Sequence, residues 1–323
     1  MEESTSNVMH LTQINYSEVE LDCQNMPPTK FNTCFHSVEE IPVQKRDQHL
    51  SRPSEAPYSF KRWLPLILKT RNLGQDEAQI VKLTPAQARL LVEASGSSII
   101  TGELNRAYQE DIGEEIIPHL PLKFPPEGLF MRLDHCSPKD GRQTVPGRLS
   151  LHSPNDIIIR LTTSQRAQNA ISKSLEEGSK TVDLIFLPFN CRMGSKREYR
   201  VYCAPGAGVI SAVSQYCWHK PWFFGGEEPE FCTKVVDEVW KGIQKIHKDI
   251  LQDLNPNKEM DQLLLSQGLS FDVFYDEADK TSQLVELNVF GVRSGCGSCL
   301  FHWINDLDKL YGNAESVEFR VTR

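Results

Sequence analysis

Three oxygen-bearing side chains in the C-terminal part of the chain have the types and spacing of a magnesium site. Glu286 and Asn288 stand two residues apart in a predicted strand, so their side chains project to the same face. Asp272 lies in the preceding predicted strand, 269–275, and residues 276–280 form a predicted hairpin turn. Carboxylate and amide oxygens suit Mg²⁺, which usually completes its octahedron with water and nucleotide phosphate oxygens. We therefore expect these three side chains to bind metal, although a polar strand face at a sheet edge would show the same pattern.

The composition is that of an ordinary soluble globular protein. The 323 residues are 39% hydrophobic and 24% charged, with a formal net charge of −8. This charge argues against nonspecific binding to nucleic acid or to anionic membranes. No apolar run approaches the roughly 18–20 residues that span a bilayer. The N-terminus lacks the regions of a signal peptide, and nine irregularly spaced cysteines are typical of reduced thiols. We therefore expect a cytoplasmic protein with no nucleic-acid or membrane partner.

The order of elements predicts an α+β protein that follows a flexible leader. Residues 1–56 are polar and poor in periodic apolar positions, so we expect them to be flexible, although residues 31–43 could pack as a short arm. Thr84, Pro85 and Gln87 have the types of a capped helix start, and we expect that helix to end at Gly96. Strands and helices then mix without regular βαβ alternation. The other predicted elements are strands at 128–133, 157–161, 182–187, 198–203 and 209–213, and helices at 105–120, 231–254 and 300–310.

Several short segments, taken in order, resemble those of the cell division cycle protein 123 family. They are FMRLDHCSPKD at 130–140, EYRVY at 198–202 with VSQY at 213–216, and FDVF at 271–274 with ELNVFG at 286–291. The resemblance implies an ATP-grasp fold, in which two α+β lobes hold ATP and Mg²⁺ between them. We expect these lobes at 57–180 and 181–323.

The resemblance also implies roles for several polar residues outside the expected metal site. Arg132 would bind the α- and β-phosphates in place of the family's lysine, and Arg200 would contact the γ-phosphate. Lys139 and Asp140 lie in a predicted turn that would cover the phosphates, and Arg293 would bind a substrate carboxylate or acyl phosphate beside the metal. We thus expect Arg200 and Arg293 to be catalytic, and Arg132, Lys139, Asp140 and Arg200 to bind the nucleotide. Each could instead be a strand-edge or loop residue without a functional role.

Departures from the family pattern leave two classes of function open. The family's DFNPFG is ELNVFG here, its charged RKW linker is LPF at 187–189, and its acidic residue after the last glycine is missing. These differences favour an ATP-dependent ligase that activates a small-molecule carboxylate as an acyl phosphate for attack by a nucleophile, in a specialised biosynthetic pathway. The alternative, which the resemblance itself implies, is an ATP-binding assembly chaperone for the gamma subunit of eukaryotic translation initiation factor two.

The pair Cys296 and Cys299, with His302 close behind, has the letters of a metal-binding or redox motif. Structural zinc normally needs a second pair of ligands, and the chain has no other C-x-x-C. We therefore expect a loop of small residues that enters the last helix, with a metal or redox role left open.

Overall fold

The computed structural model describes residues 8–48 and 51–323, where strands and helices mix without regular alternation. This mixture confirms the predicted α+β class. The strands are β1 (Met9–Ile14), β2 (Gln79–Leu83), β3 (Leu129–Leu133), β4 (Val182–Pro188), β5 (Glu198–Cys203), β6 (Ile210–Gln215), β7 (Leu269–Asp276), β8 (Thr281–Val289) and β9 (Val317–Thr322). The helices are α1 (Tyr16–Asp22), α2 (Phe60–Thr70), α3 (Pro85–Thr101), α4 (Gln109–Glu115), α5 (Pro154–Thr162), α6 (Gln165–Glu176), α7 (Pro229–Asp253), α8 (Glu259–Gln267) and α9 (Leu307–Leu310).

Two compact units divide the chain. The first contains the residues up to Asn72 together with Arg192–Arg323, and the second contains Leu73–Cys191. The predicted boundary at 180/181 is wrong, because β4 is the central strand of the second unit's sheet and pairs with both β2 and β3. Within the described residues, no helix has the length and apolar character needed to cross a membrane.

The first unit is built on a six-stranded mixed sheet with the order β1-β9-β6-β5-β7-β8. β1, β9 and β6 run parallel to one another, and the remaining neighbours are antiparallel. β7 and β8 form the predicted hairpin, with Asp276 opposite Thr281 at the turn. Every residue of β7 is buried, so the polar side chains on this strand lie inside the protein.

Helix α7 packs against β7 and β8 and fixes the strands that carry the candidate site. Gly242 allows a close approach, because a Cβ at this position would lie 1.9 Å from the Ser282 hydroxyl oxygen. The His247 ring stacks on Phe271 of β7, with centroids 6.4 Å apart and an interplanar angle of 10°. The apolar stripe of α7 follows the predicted helical spacing and is buried: Val235, Val239, Ile243, Ile246 and Ile250.

The second unit packs helices α3 to α6 around the three-stranded sheet β2-β4-β3, with one hydrophobic core. The predicted start of α3 is confirmed: the Thr84 hydroxyl accepts from the Gln87 amide at 3.3 Å, and the Gln87 side chain accepts from the Thr84 amide at 2.9 Å. The predicted end is wrong, because α3 continues through Gly96 to a left-handed cap at Gly102 (φ +72°). An interior glycine costs a helix only about 1 kcal/mol, so the glycine alone does not end it.

Three other predicted elements differ from the structure. Residues 157–161, predicted as a strand, lie in helix α5, which Ser153 caps by accepting from the Asp156 amide at 3.2 Å. A short and mostly apolar run carries no period that separates helix from strand. The predicted helix 105–120 is interrupted by 3₁₀ turns on both sides of α4, and the predicted helix 300–310 is helical only in α9.

The flexible leader predicted for residues 1–56 is wrong for the described part, 8–48. β1 pairs with β9 along its whole length, and α1 follows it with Asn15 as its cap. We call residues 31–41, which come after α1, the N-terminal strap. The strap lies within residues 31–43, which the sequence analysis left as a possible packed arm. Isolated apolar residues, not a periodic stripe, anchor the N-terminal segment in the first unit: Val19, Phe31 and Ile41.

Candidate functional site

A line of polar residues crosses the six-stranded sheet of the first unit, and we call it the polar row. Residues that pair directly across neighbouring strands point to the same face, so these side chains form one continuous line. Each member is in register with the next: Thr12, Arg320, Ser214, Arg200, Asp272 and Glu286. The row brings together two of the three predicted metal ligands and one predicted phosphate ligand.

Arg200 and Asp272 form a buried, bidentate ion pair at the centre of the row. The Arg200 Nε and Nη2 atoms donate to the two carboxylate oxygens of Asp272, each at 2.8 Å. Asn288 Nδ2 donates to the same Asp272 Oδ2 at 2.9 Å, so this oxygen accepts two hydrogen bonds. Only 8% of the Arg200 side chain and 1% of the Asp272 side chain are exposed. The two charges therefore compensate each other at a position that water does not solvate.

Electrostatics around this pair follow from its burial. Burial raises the pKa of Asp272, and the Arg200 guanidinium opposes that rise. Burial lowers the pKa of Arg200, but Asp272 outweighs it and holds the pKa well above its usual value. The raised pKa of Asp272 favours a protonated carboxyl group, whereas the raised pKa of Arg200 favours an ionised carboxylate beside it. The geometry favours the ionised pair, because two N–H donors of the Arg200 guanidinium face the two carboxylate oxygens of Asp272.

Glu286 and Asn288 lie on β8 at the partly exposed end of the row. A β-bulge sets their position, because Asp272 pairs with Glu286 while Val273 pairs with Leu284, which leaves Val285 unpaired. The end of α2 holds this bulge. Arg71 donates to the Leu284 and Val285 carbonyls at 3.2–3.3 Å, and the Leu284 amide donates to Thr70 Oγ1 at 3.0 Å.

The oxygens at this end of the row fit one Mg²⁺ that takes most of its ligands from elsewhere. Glu286 supplies a carboxylate. Asn288 bonds Asp272 through its side-chain nitrogen and not its oxygen, and Asp272 Oδ1 accepts one hydrogen bond. Within residues 8–48 and 51–323, no group of three or more His, Cys, Asp or Glu side chains could hold a metal ion. Water or phosphate oxygens would therefore complete the octahedron, as Mg²⁺ commonly requires.

A glycine-rich loop at residues 291–303 covers the polar row. The Gly297 carbonyl accepts from Arg200 Nη1 at 2.9 Å, and the Cys296 carbonyl accepts from Trp303 Nε1 at 2.8 Å. A side chain at Gly297 has no space, because its Cβ would lie 2.2 Å from the Asn32 side-chain oxygen. The loop thus holds the third donor of Arg200 and fixes the orientation of the ion pair.

The N-terminal strap holds this loop through backbone hydrogen bonds. The amides of Asn32, Phe35 and His36 donate to the carbonyls of Cys299 at 2.7 Å, Ser294 at 2.9 Å and Val292 at 3.1 Å, respectively. The strap is therefore part of the site's framework, although the sequence pattern predicted it to be flexible.

The possible metal or redox role of Cys296, Cys299 and His302 finds no support in the geometry. Burial raises the pKa of both thiols, to about 12 for Cys299, so they stay protonated and poorly reactive at neutral pH. His302 Nδ1 accepts from the amides of Ile304 and Asn305 at 3.1 and 3.2 Å, which makes the histidine the cap of a turn. All nine cysteines are free thiols.

Arg293 is the residue predicted at a substrate carboxylate. It lines a cavity of about 320 Å³ in the first unit, together with residues such as Phe290 and Tyr311. Asp272, Glu286 and Asn288 are not among the described residues that line this cavity. The role predicted for Arg293 at a substrate carboxylate beside the metal stays a prediction.

The other predicted nucleotide-binding residues belong to the second unit. Arg132 is buried on β3, and Lys139 is exposed in the loop that follows. Asp140 accepts from the Ser164 hydroxyl at 2.5 Å and from the Arg166 amide at 3.2 Å, so its carboxylate stabilises the start of α6. The phosphate-binding roles of Arg132, Lys139 and Asp140 stay predictions, and Asp140 has a structural role beside its predicted one.

Arg320 is a second buried arginine of the row that the sequence analysis missed. Its Nη1 and Nη2 atoms donate to Asp306 at 2.9 and 2.8 Å, and Nη1 also donates to the Leu300 carbonyl at 3.0 Å. The alternation of apolar and polar residues over 317–322 was the available signal for β9, which would have placed Arg320 on a sheet face.

Glu318 should make the first unit sensitive to acid. Burial would raise the pKa of Glu318, but hydrogen bonds from Arg320 and Lys309 lower it from 4.5 to about 2. A carboxylate whose pKa is lowered by folding stabilises the folded state at pH values above its unfolded pKa. This stabilisation is lost as the pH falls towards the folded pKa. We expect Glu318→Gln to flatten the fall in melting temperature between about pH 4.5 and pH 2. An unchanged slope, measured by circular dichroism, would mean that the pKa of Glu318 is not lowered in the folded state.

Comparisons with known proteins show what the fold resembles. No protein-family model and no curated protein matches the sequence. A structure of Cdc123 from Schizosaccharomyces pombe matches with a TM-score of 0.54 and 18% identity, covering 83% of this chain and 96% of that chain. A structure of C-terminally truncated Cdc123 from the same organism matches with a TM-score of 0.55 and 17% identity, covering 90% of this chain and 100% of that chain. The predicted likeness to this family is confirmed at the level of the fold.

Proposed function

We propose that this chain, which shares the fold of Cdc123, is an ATP-binding assembly chaperone for the gamma subunit of eukaryotic translation initiation factor two. The fold likeness supports the family resemblance that implies this role. The observation that carries the proposal over the ligase is the ion pair of Arg200 and Asp272. Phosphoryl transfer would need the side chains of Arg200 and Asp272, and these two are already bonded to each other.

Phosphoryl transfer depends on metal ions and cationic side chains that neutralise charge on the moving phosphate. Arg200, the residue expected at the γ-phosphate, gives three of its N–H donors to Asp272 and to the Gly297 carbonyl. Asp272 is buried with its Oδ2 accepting two hydrogen bonds. Arg293, the residue expected at the acceptor carboxylate, lines a cavity without the metal candidates. This arrangement suits a site that holds a nucleotide better than one that consumes it.

Mg-ATP binding belongs to the proposal as well. Asp272 and Glu286 carry two negative charges against one positive charge on Arg200, so this end of the row attracts a cation. Glu286 and Asn288 are half-buried and give an ion access to their oxygens. Arg132 and Lys139 keep their proposed phosphate-binding roles on the resemblance alone. The ligase predicted from the sequence gains no support from the geometry or from the fold comparison.

Client capture tests the proposed function. The purified protein, immobilised, should retain the recombinant gamma subunit in the presence of Mg-ATP, and retention should fall when magnesium is chelated. ATP consumption, measured in parallel against amino acids and small carboxylic acids, should stay at its acceptor-free level. Acceptor-dependent consumption together with no retention of the gamma subunit would overturn the proposal in favour of the ligase.

Glu286→Gln should weaken Mg-ATP binding at least tenfold, because it removes charge from the metal end of the row with almost no change of shape. A bound ligand stabilises the folded protein by mass action, by about 2.7 kcal/mol at a hundredfold excess over Kd. The melting temperature of each variant is therefore measured with and without Mg-ATP. The matched control is Glu227→Gln, the same change at an exposed position. Equal nucleotide-dependent shifts in the two variants would exclude Glu286 from metal binding.

A further inference from the structure

The cavity beside Arg293, which we call the Arg293 cavity, has the dimensions and charge of a small-ligand site. Its volume of about 320 Å³ is at the lower end of the range for small-molecule pockets, roughly 300–1,000 Å³. It is formed where the chain enters β7 and leaves β8, and none of the described residues that line it is acidic. Among the described lining residues, Arg293 alone carries a formal charge.

Arg293 carries an unsatisfied donor at this position. Its Nε atom is buried and has no hydrogen-bond partner within the part of the chain that the structure describes. Buried polar groups in proteins are nearly always paired, so this donor needs a partner, which a water, an ion or a ligand can supply. The other polar groups on the wall are neutral, as with Gln267 and Asn313.

Two aromatic residues, Phe290 and Tyr311, form a fixed part of the wall. Phe290 is 1% exposed and contacts the Tyr311 ring edge-on, with centroids 4.9 Å apart. The Tyr311 hydroxyl accepts from the Val292 amide at 3.1 Å. The strap bonds the carbonyls of Val292 and Ser294 on both sides of Arg293, so the backbone that carries the guanidinium is held before any ligand arrives.

We propose that the Arg293 cavity binds a small organic carboxylate, with its carboxylate on the Arg293 guanidinium and its apolar body against Phe290 and Tyr311. A guanidinium matches a carboxylate with two parallel N–H donors, which satisfies the buried Nε at the same time. The volume equals that of roughly ten water molecules, which suits a single ring or a short aliphatic chain. This site is separate from the polar row and does not depend on the proposed chaperone function.

A pair of fluorinated probes tests the proposal on the full-length protein. 4-Fluorobenzoate and 4-fluorobenzamide share shape and differ in charge, and ¹⁹F NMR line broadening reports the binding of each. We expect the benzoate to bind at least tenfold more tightly than the benzamide. Arg293→Gln should weaken benzoate binding at least tenfold, whereas Arg323→Gln, at an exposed arginine outside this cavity, should leave it unchanged within twofold.

Two further arms keep the result decisive if Arg293→Gln fails to fold. Ser266 is exposed on α8 and lines the cavity, so Ser266→Trp should obstruct it and abolish benzoate binding. Mg-ATP should leave benzoate affinity unchanged within twofold, because no metal candidate lines the cavity. Equal binding of the two probes, benzoate binding that survives Ser266→Trp, or displacement of benzoate by Mg-ATP would each overturn the proposal of a separate carboxylate site.

Discussion

Asp272→Ala should lower the free energy of unfolding of the first unit by about 3–5 kcal/mol, because it leaves the Arg200 guanidinium buried without its counter-charge. The side chain of Asp272 is 1% exposed, so water cannot replace the lost carboxylate. Asn288 Nδ2 loses its acceptor in the same variant. All five tryptophans lie in the first unit, so denaturant unfolding followed by tryptophan fluorescence reports this unit alone.

Asp276→Ala is the matched control for this result. Asp276 lies on the same strand and pairs with Arg192, whose side chain is 39% exposed and can be hydrated when its partner is lost. We expect a smaller loss, about 1–3 kcal/mol, because the Ala278 amide also loses its acceptor but no charge is left without access to water. A double variant, Arg200→Met with Asp272→Leu, should recover most of the loss, since it removes both buried charges. If Asp272→Ala costs no more than Asp276→Ala, the buried ion pair does not stabilise the fold.

Removal of the N-terminal segment should have the second large effect. A chain that begins at Pro57 lacks β1, which leaves the parallel edge of β9 unpaired, and lacks the strap that holds loop 291–303. It also exposes the apolar surface that the segment covers. We expect this shortened chain to be insoluble or to lose its cooperative unfolding transition in tryptophan fluorescence. A soluble chain with the transition of the full-length protein would restore the prediction that the segment is a dispensable leader.

Phe31→Ala gives a graded form of the same test. Phe31 is 3% exposed and packs with Val19 and Leu300, so its truncation should cost about 3–5 kcal/mol. Phe35→Ala is the same change four residues on, where the ring is 60% exposed, and it should cost less than about 1 kcal/mol. Equal costs at the two positions would mean that the strap is not anchored through its buried face.

Spacing and strand alternation were enough to predict the metal end of the polar row. Glu286 and Asn288 share a face because they stand two residues apart, and the polar turn between the strands indicated the hairpin. The register that sets Asp272 opposite Glu286 depends on the unpaired Val285, which the α2 terminus holds from a distant part of the chain. No local pattern contains that information.

Arg200 illustrates a different limit. Its position on a strand near the acids could be predicted, but its partner could not, because β5 lies beside β7 only through the order of strands in the sheet. The packing of the strap stayed only an alternative for a related reason. Its few buried residues pack with segments that are distant in the sequence, as Phe31 does with Leu300 and Ile41 with Trp303. Periodicity describes an element's own faces and is silent on surfaces that other segments supply.

The fate of bound ATP tests the central claim most directly, namely that the site holds a nucleotide without transferring its phosphate. The protein would be mixed with stoichiometric Mg-ATP and the gamma subunit, with and without a panel of amino acids and small carboxylic acids, and followed by ³¹P NMR. The account predicts that the γ-phosphate resonance persists at constant intensity in every mixture while the gamma subunit stays bound. Loss of that resonance with formation of ADP, dependent on one small carboxylate and abolished by Glu286→Gln, would contradict it.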